Sequence, residues 1–362
     1  MSQKPDVVII GGGVIGLSIA WYLGRAGLSV RLLERDRIGS HASGAAAGML
    51  APLAESTEID PLFAFGKASL DLYPTFLEQL AFDSEIDVLL EGPGLLRLAF
   101  DGADADRLKG LTGSPAAQEL NANWIDEEQL RELQPTVAEN AIGAVLSPKE
   151  RHVNPRRLVH ALARASQRQG VTFLEGIHAE KASHELSGES KTIFAAGAWT
   201  SELVKEFGVT LPMKPVKGQV MHLQQPGHDL RYTLYGNGGY VVPREDGNVL
   251  VGATSEDAGF DERTTDEGIE WLRRSAIQLF PPAEGFTFVE AWASIRPGTE
   301  DGLPILGRLP VDNAFVATGH YRNGILQTPI TAKLMAELII TDKEPEMLAP
   351  FSPTRFSGAG VN

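Results

Sequence analysis

The sequence predicts an α/β protein in which a mostly parallel sheet is interrupted by a second unit rich in antiparallel strands. Residues 6–34 indicate strand, helix and strand, because apolar residues run together, then recur at helical spacing, then alternate. A helix followed by strands is predicted over residues 154–195, and a strand followed by a helix over residues 314–340. Residues 214–289 instead carry short strands separated by glycine-rich turns, which is typical of antiparallel pairs. The presence of both patterns in one chain predicts the mixed fold.

The first unit has clear boundaries. Residues 6–10 form a short apolar strand of the kind buried in a parallel sheet. A helix follows at residues 14–26 and ends at Gly27. Residues 29–34 then form a second strand that ends at the acidic Glu34.

Residues 51–150 lose this alternation. They contain a helical stretch at residues 61–80, a strand at residues 94–100 and a loop-rich patch near residues 111–118. Because aliphatic and aromatic residues continue throughout, we expect an inserted domain here rather than a linker.

The α/β pattern resumes at Asn154. Asn154 is a suitable N-cap, Pro155 suits the first helical position, and Gly170 ends the helix. We expect the remaining strands at residues 171–174, 192–195, 232–234, 239–243, 249–253 and 314–317.

The length of the chain suits two closely joined domains, since it has 362 residues. We expect a discontinuous nucleotide-binding domain built from residues 1–50, 151–213 and 290–362. We expect the inserted, β-rich domain to comprise residues 51–150 and 214–289.

Composition excludes several classes of protein. The net charge of −15 would repel nucleic acid, and we expect no nucleic-acid partner. The chain has no cysteine, which excludes disulfides and thiolate metal sites. The eight histidines form no pair at metal-binding helical spacing, so we expect no metal. No window approaches the roughly 18 apolar residues of a membrane span, and no signal peptide is evident, so we expect a cytoplasmic protein.

Residues 11–16 carry the pattern G-G-G-V-I-G between the first strand and the first helix. In this context Gly11 permits the tight turn, Gly13 allows close approach of a pyrophosphate, and Gly16 allows close helix–strand packing. The helix N-terminus favours the phosphates, and Glu34 would accept hydrogen bonds from ribose hydroxyls. The alternative is a glycine-rich turn without a ligand. This Rossmann-type pattern predicts a bound dinucleotide.

A second run of small residues at positions 39–48 favours FAD over NAD. Small residues let the backbone approach a flat, extended ligand. An NAD site needs no such loop after the acidic residue that binds the ribose, here Glu34. The alternative is a flexible linker. The absence of cysteine excludes a cysteinyl–flavin bond, whereas His41 could in principle form a histidyl one.

Four segments resemble the glycine oxidases, a group within the D-amino-acid oxidase family of flavoproteins: residues 43–52, 192–199, 292–298 and 319–326. The resemblance covers nearly the whole chain in the same order. The motifs A-A-A-G-M-L at residues 45–50 and H-Y-R-N-G-I-L at residues 320–326 are its most specific part. It implies a D-amino-acid oxidase-like fold, with non-covalent FAD between an FAD domain and a substrate domain. FAD-contacting positions implied by the resemblance are Val14, Ile15, Glu34, Arg35, Ala42, Ser43, Ala47, Gly48, Met49, Ala179, His320, Tyr321, Arg322, Asn323, Gly324, Ile325 and Leu326.

The substrate side is expected to contain Tyr240, Arg296, Arg322 and Met49. A guanidinium offers two parallel N–H donors to a carboxylate, and Arg296 leaves a strand beside the rigid Pro297. The resemblance makes Arg296 and Tyr240 the residues that bind the substrate carboxylate. Taken alone, Arg296 could form a structural ion pair, Tyr240 could be a packing residue, and Met49 could belong to the core.

The resemblance implies oxidative deamination of glycine and small amines or D-amino acids such as sarcosine, D-alanine and D-proline. The products are the 2-oxo acid, ammonia or an amine, and hydrogen peroxide, and the reaction would serve thiazole synthesis for thiamine. We assign no acid or base residue. Ser255 stands where related enzymes often have an apolar residue, so strict preference for glycine is open.

Two rival functions remain at this point. One is a D-amino-acid or sarcosine dehydrogenase that passes electrons to a quinone or another carrier. The other is a flavin-binding module without turnover. The resemblance also implies a homo-oligomer, a tetramer.

Overall fold

The computed structural model describes residues 4–54, 56–178 and 190–356. The strands are β1 (Val7–Ile10), β2 (Val30–Glu34), β3 (Met49–Leu50), β4 (Leu95–Ala99), β5 (Asn123–Asp126), β6 (Gly143–Ser147), β7 (Arg151–His152), β8 (Thr172–Glu175), β9 (Lys191–Phe194), β10 (Met213–Gln224), β11 (Thr233–Gly236), β12 (Gly239–Pro243), β13 (Asn248–Gly252), β14 (Thr287–Thr299), β15 (Ile305–Arg308) and β16 (Ala314–Thr318). The helices are α1 (Val14–Arg25), α2 (Ala42–Ala45), α3 (Pro61–Ser84), α4 (Gly102–Thr112), α5 (Pro115–Glu119), α6 (Glu127–Leu133), α7 (Pro155–Arg168), α8 (Thr200–Lys205), α9 (Asp266–Leu279) and α10 (Thr328–Thr341).

A six-stranded sheet contains the nucleotide-binding pattern. Its order is β8–β2–β1–β9–β16–β15, and all pairs are parallel except β15 with β16. All four residues of β1 are buried, as expected of a strand covered on both faces. The side chain of Asn154 accepts a hydrogen bond from the N–H of Arg157, so it caps α7 as the sequence predicts. Helices α1, α7 and α10 pack around a core that includes Trp21 and Phe315.

An eight-stranded sheet forms the second layer, in the order β14–β10–β13–β12–β11–β4–β6–β5. Its pairs are antiparallel except β4 with β11, which are parallel. Helix α9 packs on this sheet, and Leu272 and Leu279 are fully buried in the shared core. The mixed α/β class, with a parallel sheet and a separate largely antiparallel sheet, is thus confirmed.

The division expected from the sequence differs from the sheet pairing at two places. Strand β14 pairs with β10 along its length, so residues 290–299 lie in the second sheet and not the first. Helix α3 packs against α7 and α10, so residues 61–84 join the core of the first sheet. The domain boundaries stay a prediction.

The prediction of a loop-rich patch near residues 111–118 is wrong, because α4 extends to Thr112 and α5 spans Pro115–Glu119. Ser114 caps α5 by accepting a hydrogen bond from the N–H of Ala117, and Pro115 occupies its first turn. Both signals are visible in the sequence.

Of the helices in the described ranges, none is both long enough and apolar enough to span a bilayer.

Candidate active site between the two sheets

A cavity of about 410 Å³ is lined by residues of both sheets. Ile10, Leu33 and Ala317 contribute from β1, β2 and β16, and Val220 and Ile295 contribute from β10 and β14. The cavity therefore lies where the parallel sheet meets the second sheet. This volume is within the range of small-molecule sites.

Most of the predicted site residues line this one cavity. They are Gly11, Gly13, Val14, Ile15, Glu34, Arg35, Ala42, Ser43, Ala47, Gly48, Met49, Tyr240, Arg296, His320, Tyr321, Arg322, Asn323, Gly324 and Ile325. Gly16 and Leu326 do not line it, and Ala179 lies outside the described residues. We call the region around Gly11, Gly13 and Glu34 the fingerprint end, and the region around Tyr240 and Arg296 the arginine end.

Glycines shape the fingerprint end. Gly11 has φ +113°, and a Cβ there would lie 2.4 Å from the carbonyl oxygen of Ala195. A Cβ on Gly16 would lie 2.0 Å from the carbonyl oxygen of Gly11, so Gly16 serves the close packing of α1 on β1. Gly13 is the N-cap of α1 and brings no side chain into the cavity wall. The turn therefore leaves room for phosphates beside the N-terminus of α1.

Glu34 ends β2 and is only 8% exposed. Its Oε2 accepts a hydrogen bond from the N–H of Gly12 at 2.7 Å, and its Oε1 accepts one from the N–H of Asp36 at 2.9 Å. A carboxylate has about four acceptor sites, so the fixed group retains capacity for ligand hydroxyls.

Next to this end, Trp199 closes the wall. The guanidinium of Arg35 lies 4.6 Å from the centroid of the Trp199 ring, and the ring of His41 lies 4.7 Å from it. Trp199 follows the lining residues 195–198 directly after β9. We assigned no role to Trp199 from the sequence, although the small residues A-A-G-A after a buried strand could have indicated a ligand.

Glu34, Asp36 and His41 place their ligand-type atoms within 4.8 Å of one another. Protein groups already bind them: His41 Nε2 lies 2.8 Å from Asp36 Oδ2, and His41 Nδ1 lies 3.1 Å from Glu262. Hydrogen bonds from His41 and Arg35 lower the pKa of the Asp36 carboxyl. We assign no metal to this group.

The segment after β16 forms another wall of the cavity. Tyr321 has φ +49°, a left-handed value that is uncommon outside glycine. His320 is buried, and its Nε2 lies 3.0 Å from Thr331 Oγ1. Burial lowers the pKa of His320 to about 3, so the ring is neutral near pH 7. Helix α10 begins at Thr328, four positions after Gly324, and Leu326 packs in the core at 2% exposure.

At the arginine end, the guanidinium of Arg296 lies across Gly218, where a Cβ would come within 2.2 Å of Nη2. Arg296 Nη1 donates to the carbonyl oxygens of Thr254, at 3.0 Å, and Lys217, at 3.3 Å. Within the described ranges no carboxylate pairs with Arg296, and a guanidinium has five N–H donors. Arg296 is thus held by the backbone with donors to spare.

Tyr240, on β12, lines the same cavity and is half-buried. Its hydroxyl lies over Gly252, where a Cβ would come within 2.3 Å of the hydroxyl oxygen. Burial raises the pKa of the Tyr240 hydroxyl, against the opposing effect of Arg296, so the group remains a donor at neutral pH. Arg296 and Tyr240 thus both bring hydrogen-bond donors to the wall of the cavity.

The other residues expected on the substrate side are less enclosed. Met49 is half-buried, and Arg322 is exposed with its guanidinium 5.3 Å from the centroid of the Tyr321 ring. Ser255 lines the cavity and is exposed. Tyr235, which also lines the cavity, was not expected from the sequence.

A glycine-rich strand-to-helix turn, a buried acid at the end of the second strand and a pocket rich in hydrogen-bond donors line one cavity, and together they are typical of dinucleotide-binding enzymes. Residues 6–338 match the family model DAO, described as FAD dependent oxidoreductase. The chain belongs to this family of FAD-dependent oxidoreductases, and its cofactor is FAD. The resemblance, the enzyme class and the cofactor expected from the sequence are confirmed.

Named relatives support this assignment. Glycine oxidase of Geobacillus kaustophilus is 36% identical, over 99% of this chain and 99% of the relative. The bifunctional protein ThiO/ThiG of Synechocystis is 36% identical over 98% of this chain, and this chain spans 55% of the length of that relative. The crystal structure of glycine oxidase from Geobacillus kaustophilus superposes with a TM-score of 0.88, at 34% identity and full coverage of both chains.

Proposed function

We propose that this protein catalyses the FAD-dependent oxidation of glycine and other small amines or D-amino acids, including sarcosine, D-alanine and D-proline. The products are the 2-oxo acid, ammonia or an amine, and hydrogen peroxide. The similarity to glycine oxidases over nearly the full length supports this activity. The observation that carries the proposal is the guanidinium of Arg296. It is anchored by carbonyl oxygens and not by a carboxylate of the described chain.

In this proposal the arginine end holds the amino acid. Arg296 pairs with the substrate carboxylate through its remaining donors, and the Tyr240 hydroxyl donates a further hydrogen bond. These contacts fix the Cα–H bond relative to Met49 and the loop at residues 320–325. FAD, when bound, supplies a two-electron acceptor for that bond and passes the electrons to oxygen. The substrate amine must be neutral, and no side chain is assigned to remove its proton.

The fingerprint end would hold the nucleotide portion of FAD. Gly11, Gly13 and the start of α1 would cradle the pyrophosphate, and Glu34 would accept from the ribose. Residues 42–49 and 320–325 would enclose the flavin. The chain has no cysteine, and both ring nitrogens of His41 lie against carboxylates, those of Asp36 and Glu262, so we propose that FAD is held non-covalently. Denaturation by acid should release intact FAD into the supernatant; yellow colour retained by the precipitated protein would contradict this.

Anaerobic titration tests the function. Glycine, sarcosine, D-alanine and D-proline are each added to the holoenzyme without oxygen, and bleaching of the flavin absorbance is followed. Bleaching followed by stoichiometric peroxide under air supports an oxidase. Bleaching without peroxide, together with reduction of a quinone, would indicate a dehydrogenase. A flavin that none of the four amines reduces would indicate a binding module without turnover.

We further propose that the protein is a cytoplasmic homotetramer whose product serves thiazole synthesis for thiamine. Support for the pathway comes from the bifunctional ThiO/ThiG relatives, in which a region similar to this chain occupies about half of a longer protein. Sedimentation velocity of the holoenzyme tests the oligomeric state, because a monomer of 39.0 kDa is readily distinguished from a tetramer.

A further inference from the structure

Arg244 lies behind the loop that contains Ala47, Gly48 and Met49. It follows the last residue of β12 and is 6% exposed. Its Nη2 donates to the carbonyl oxygen of Ala47, and its Nη1 donates to the carbonyl oxygen of Val153 at 2.9 Å. Arg244 does not line the cavity, whereas the three loop residues do. A side chain of the second sheet therefore holds the backbone of a cavity wall.

Gly48 packs closely against Val153, the other residue whose carbonyl oxygen Arg244 binds. Gly48 has φ +83°, and a Cβ there would lie 2.0 Å from the carbonyl oxygen of Val153. The carbonyl oxygen of Gly48 accepts a hydrogen bond from the N–H of Val153 at 3.0 Å. In a trans peptide the C=O and the N–H point in opposite directions. Because Arg244 holds the carbonyl of Ala47, the N–H of Gly48 is directed away from Arg244.

The charge of Arg244 is costly where it lies. Arg244 forms a long ion pair with Glu91, with Nη1 3.8 Å from Oε1, and Glu91 is itself 8% exposed. Glu91 also accepts a hydrogen bond from the N–H of Glu245 at 3.1 Å. The neighbouring His152 is 1% exposed, and burial lowers its pKa to about 3, so it adds no positive charge at neutral pH. Burying an ion pair seldom stabilises a protein more than apolar packing would, which points to a local task for Arg244.

We propose that Arg244 is a positioning residue for the flavin, which fixes the peptide between Ala47 and Gly48 so that the N–H of Gly48 is presented to the bound cofactor. The proposal rests on the placement of the flavin beside residues 42–49 given above. In this proposal Arg244, which follows a strand of the sheet that carries Tyr240 and Arg296, also positions the backbone that would contact the flavin. Arg244 contacts neither substrate nor cofactor itself.

Arg244→Met tests this role, because it keeps the length of the side chain and removes all donors. Arg131→Met is the matched control: Arg131 also donates to backbone carbonyls, those of Val137, Ala138 and Glu139, but lies away from the cavity. FAD is titrated into each apoprotein, and the Kd is read from quenching of flavin fluorescence. We expect Arg244→Met to raise the Kd roughly fivefold to tenfold, because the Gly48 N–H would no longer be held toward the cofactor and one neutral hydrogen bond would be lost. Arg131→Met should leave the Kd within about twofold of the wild-type value, by the same conversion.

Further measurements separate positioning from general stability. In Arg244→Met saturated with FAD, the flavin absorbance bands should shift, and kcat for glycine should fall more than KM rises. Arg244→Lys retains the charge and N–H donors but loses the guanidinium fork that reaches both carbonyl oxygens, so its Kd should lie between the wild-type and Met values. It also serves as the test variant should Arg244→Met fail to fold.

The inference is overturned if Arg244→Met, or Arg244→Lys in its place, binds FAD with the wild-type Kd and spectrum and only lowers the melting temperature as Arg131→Met does. Equal losses of FAD affinity in the Arg244 and Arg131 variants would overturn it too. These binding measurements need no turnover, so a holoenzyme that fails to oxidise glycine would refute the proposed function while leaving the Arg244 test valid.

Discussion

At the fingerprint end of the cavity, glycines and backbone N–H groups form the wall, whereas at the arginine end two long polar side chains lie across glycines. Gly11 and Gly13 bring no side chains into the cavity, and Glu34 is fixed by two backbone N–H groups. Arg296 and Tyr240 instead reach over Gly218 and Gly252 and occupy the space that side chains there would take.

This difference has a consequence for what each end can recognise. A wall made of backbone is determined by chain geometry and suits the invariant pyrophosphate and ribose of a cofactor. A wall made of side chains can change with single substitutions, which suits a variable substrate. We therefore expect mutations at the arginine end to alter catalysis without loss of FAD, and mutations at the fingerprint end to do the reverse.

Arg296→Ala should have the largest effect on the arginine end. Removing one partner of a buried charged pair costs about 3–5 kcal/mol. Steady-state kinetics with glycine should show kcat/KM lower by roughly two to four orders of magnitude. Arg296→Lys should be intermediate, because it keeps the charge but loses the bidentate fork.

The same variants provide their own controls. FAD content should stay at the wild-type level. The substitution should leave kcat/KM nearly unchanged for an amine substrate that has no carboxylate. Unchanged kcat/KM for glycine in Arg296→Ala would make Arg296 a structural residue and remove the substrate assignment.

Glu34→Ala should have the corresponding effect at the fingerprint end. Loss of the hydrogen bonds to the ribose should weaken FAD binding by about 2–3 kcal/mol, measured by titration of the apoprotein. Glu175→Ala is the control, since Glu175 also accepts a backbone N–H, that of Ile38 at 2.7 Å, but does not line the main cavity. If both variants bind FAD equally well, Glu34 does not bind the ribose.

The sequence predicts the fingerprint end well because its geometry is local. Gly11, Gly16 and Glu34 lie within one strand–helix–strand unit, and each has a positional meaning that does not depend on distant residues. Asn154 is predictable for the same reason, since an N-cap bonds within its own helix. The confirmed nucleotide-binding fold follows from these local rules.

Local sequence signals were not enough to predict the arginine end. Arg296 and Tyr240 lie on strands that are not neighbours in the sheet, and only the family resemblance placed them together. The parallel pairing of β4 with β11 joins residues more than 130 positions apart, and no spacing in the sequence encodes it. Arg244 was missed because a strand-terminal arginine shows nothing about the backbone carbonyls that it will meet. Leu326 was expected at the flavin from its motif, but its side chain points into the core.

Acid should weaken the folded state through a residue of the cavity wall. The pKa of His320 is lowered from 6.5 to about 3, so the unfolded chain binds its proton first as pH falls. The contribution of neutral His320 to the free energy of unfolding is therefore fully present above pH 6.5. Between pH 6.5 and about 3 this contribution falls by about 1.4 kcal/mol per pH unit. At pH 5 this amounts to about 2 kcal/mol.

Urea unfolding of the apoprotein at pH 7 and pH 5 measures this effect. Between the two pH values, the free energy of unfolding of His320→Gln should fall by less than that of the wild type. The exposed His160 provides the control, and His160→Gln should keep the wild-type pH dependence. If the free energy of unfolding falls equally in His320→Gln and in the wild type, His320 does not contribute to the acid sensitivity of the fold.

The smallest expected effect concerns Ser255, which lines the arginine end next to Thr254, the residue whose carbonyl oxygen accepts from Arg296. A leucine at this position would fill space beside the substrate without touching the fingerprint end. Occupying the volume of a few methylene groups changes discrimination by about 1–3 kcal/mol. We expect the lower part of that range here, because Ser255 is exposed and a longer side chain can turn partly toward solvent.

Ser255→Leu should therefore lower kcat/KM for D-proline roughly tenfold relative to glycine, with the Kd for FAD unchanged. Ser255→Ala is the matched control, since it removes the hydroxyl with little change in volume and should leave the ratio of the two substrates as in the wild type. If Ser255→Ala changes the ratio and Ser255→Leu does not, the hydroxyl and not the space governs selectivity. If neither changes it, the substrate does not extend toward Ser255, and the side chains of Arg296 and Tyr240 alone set the preference at this end.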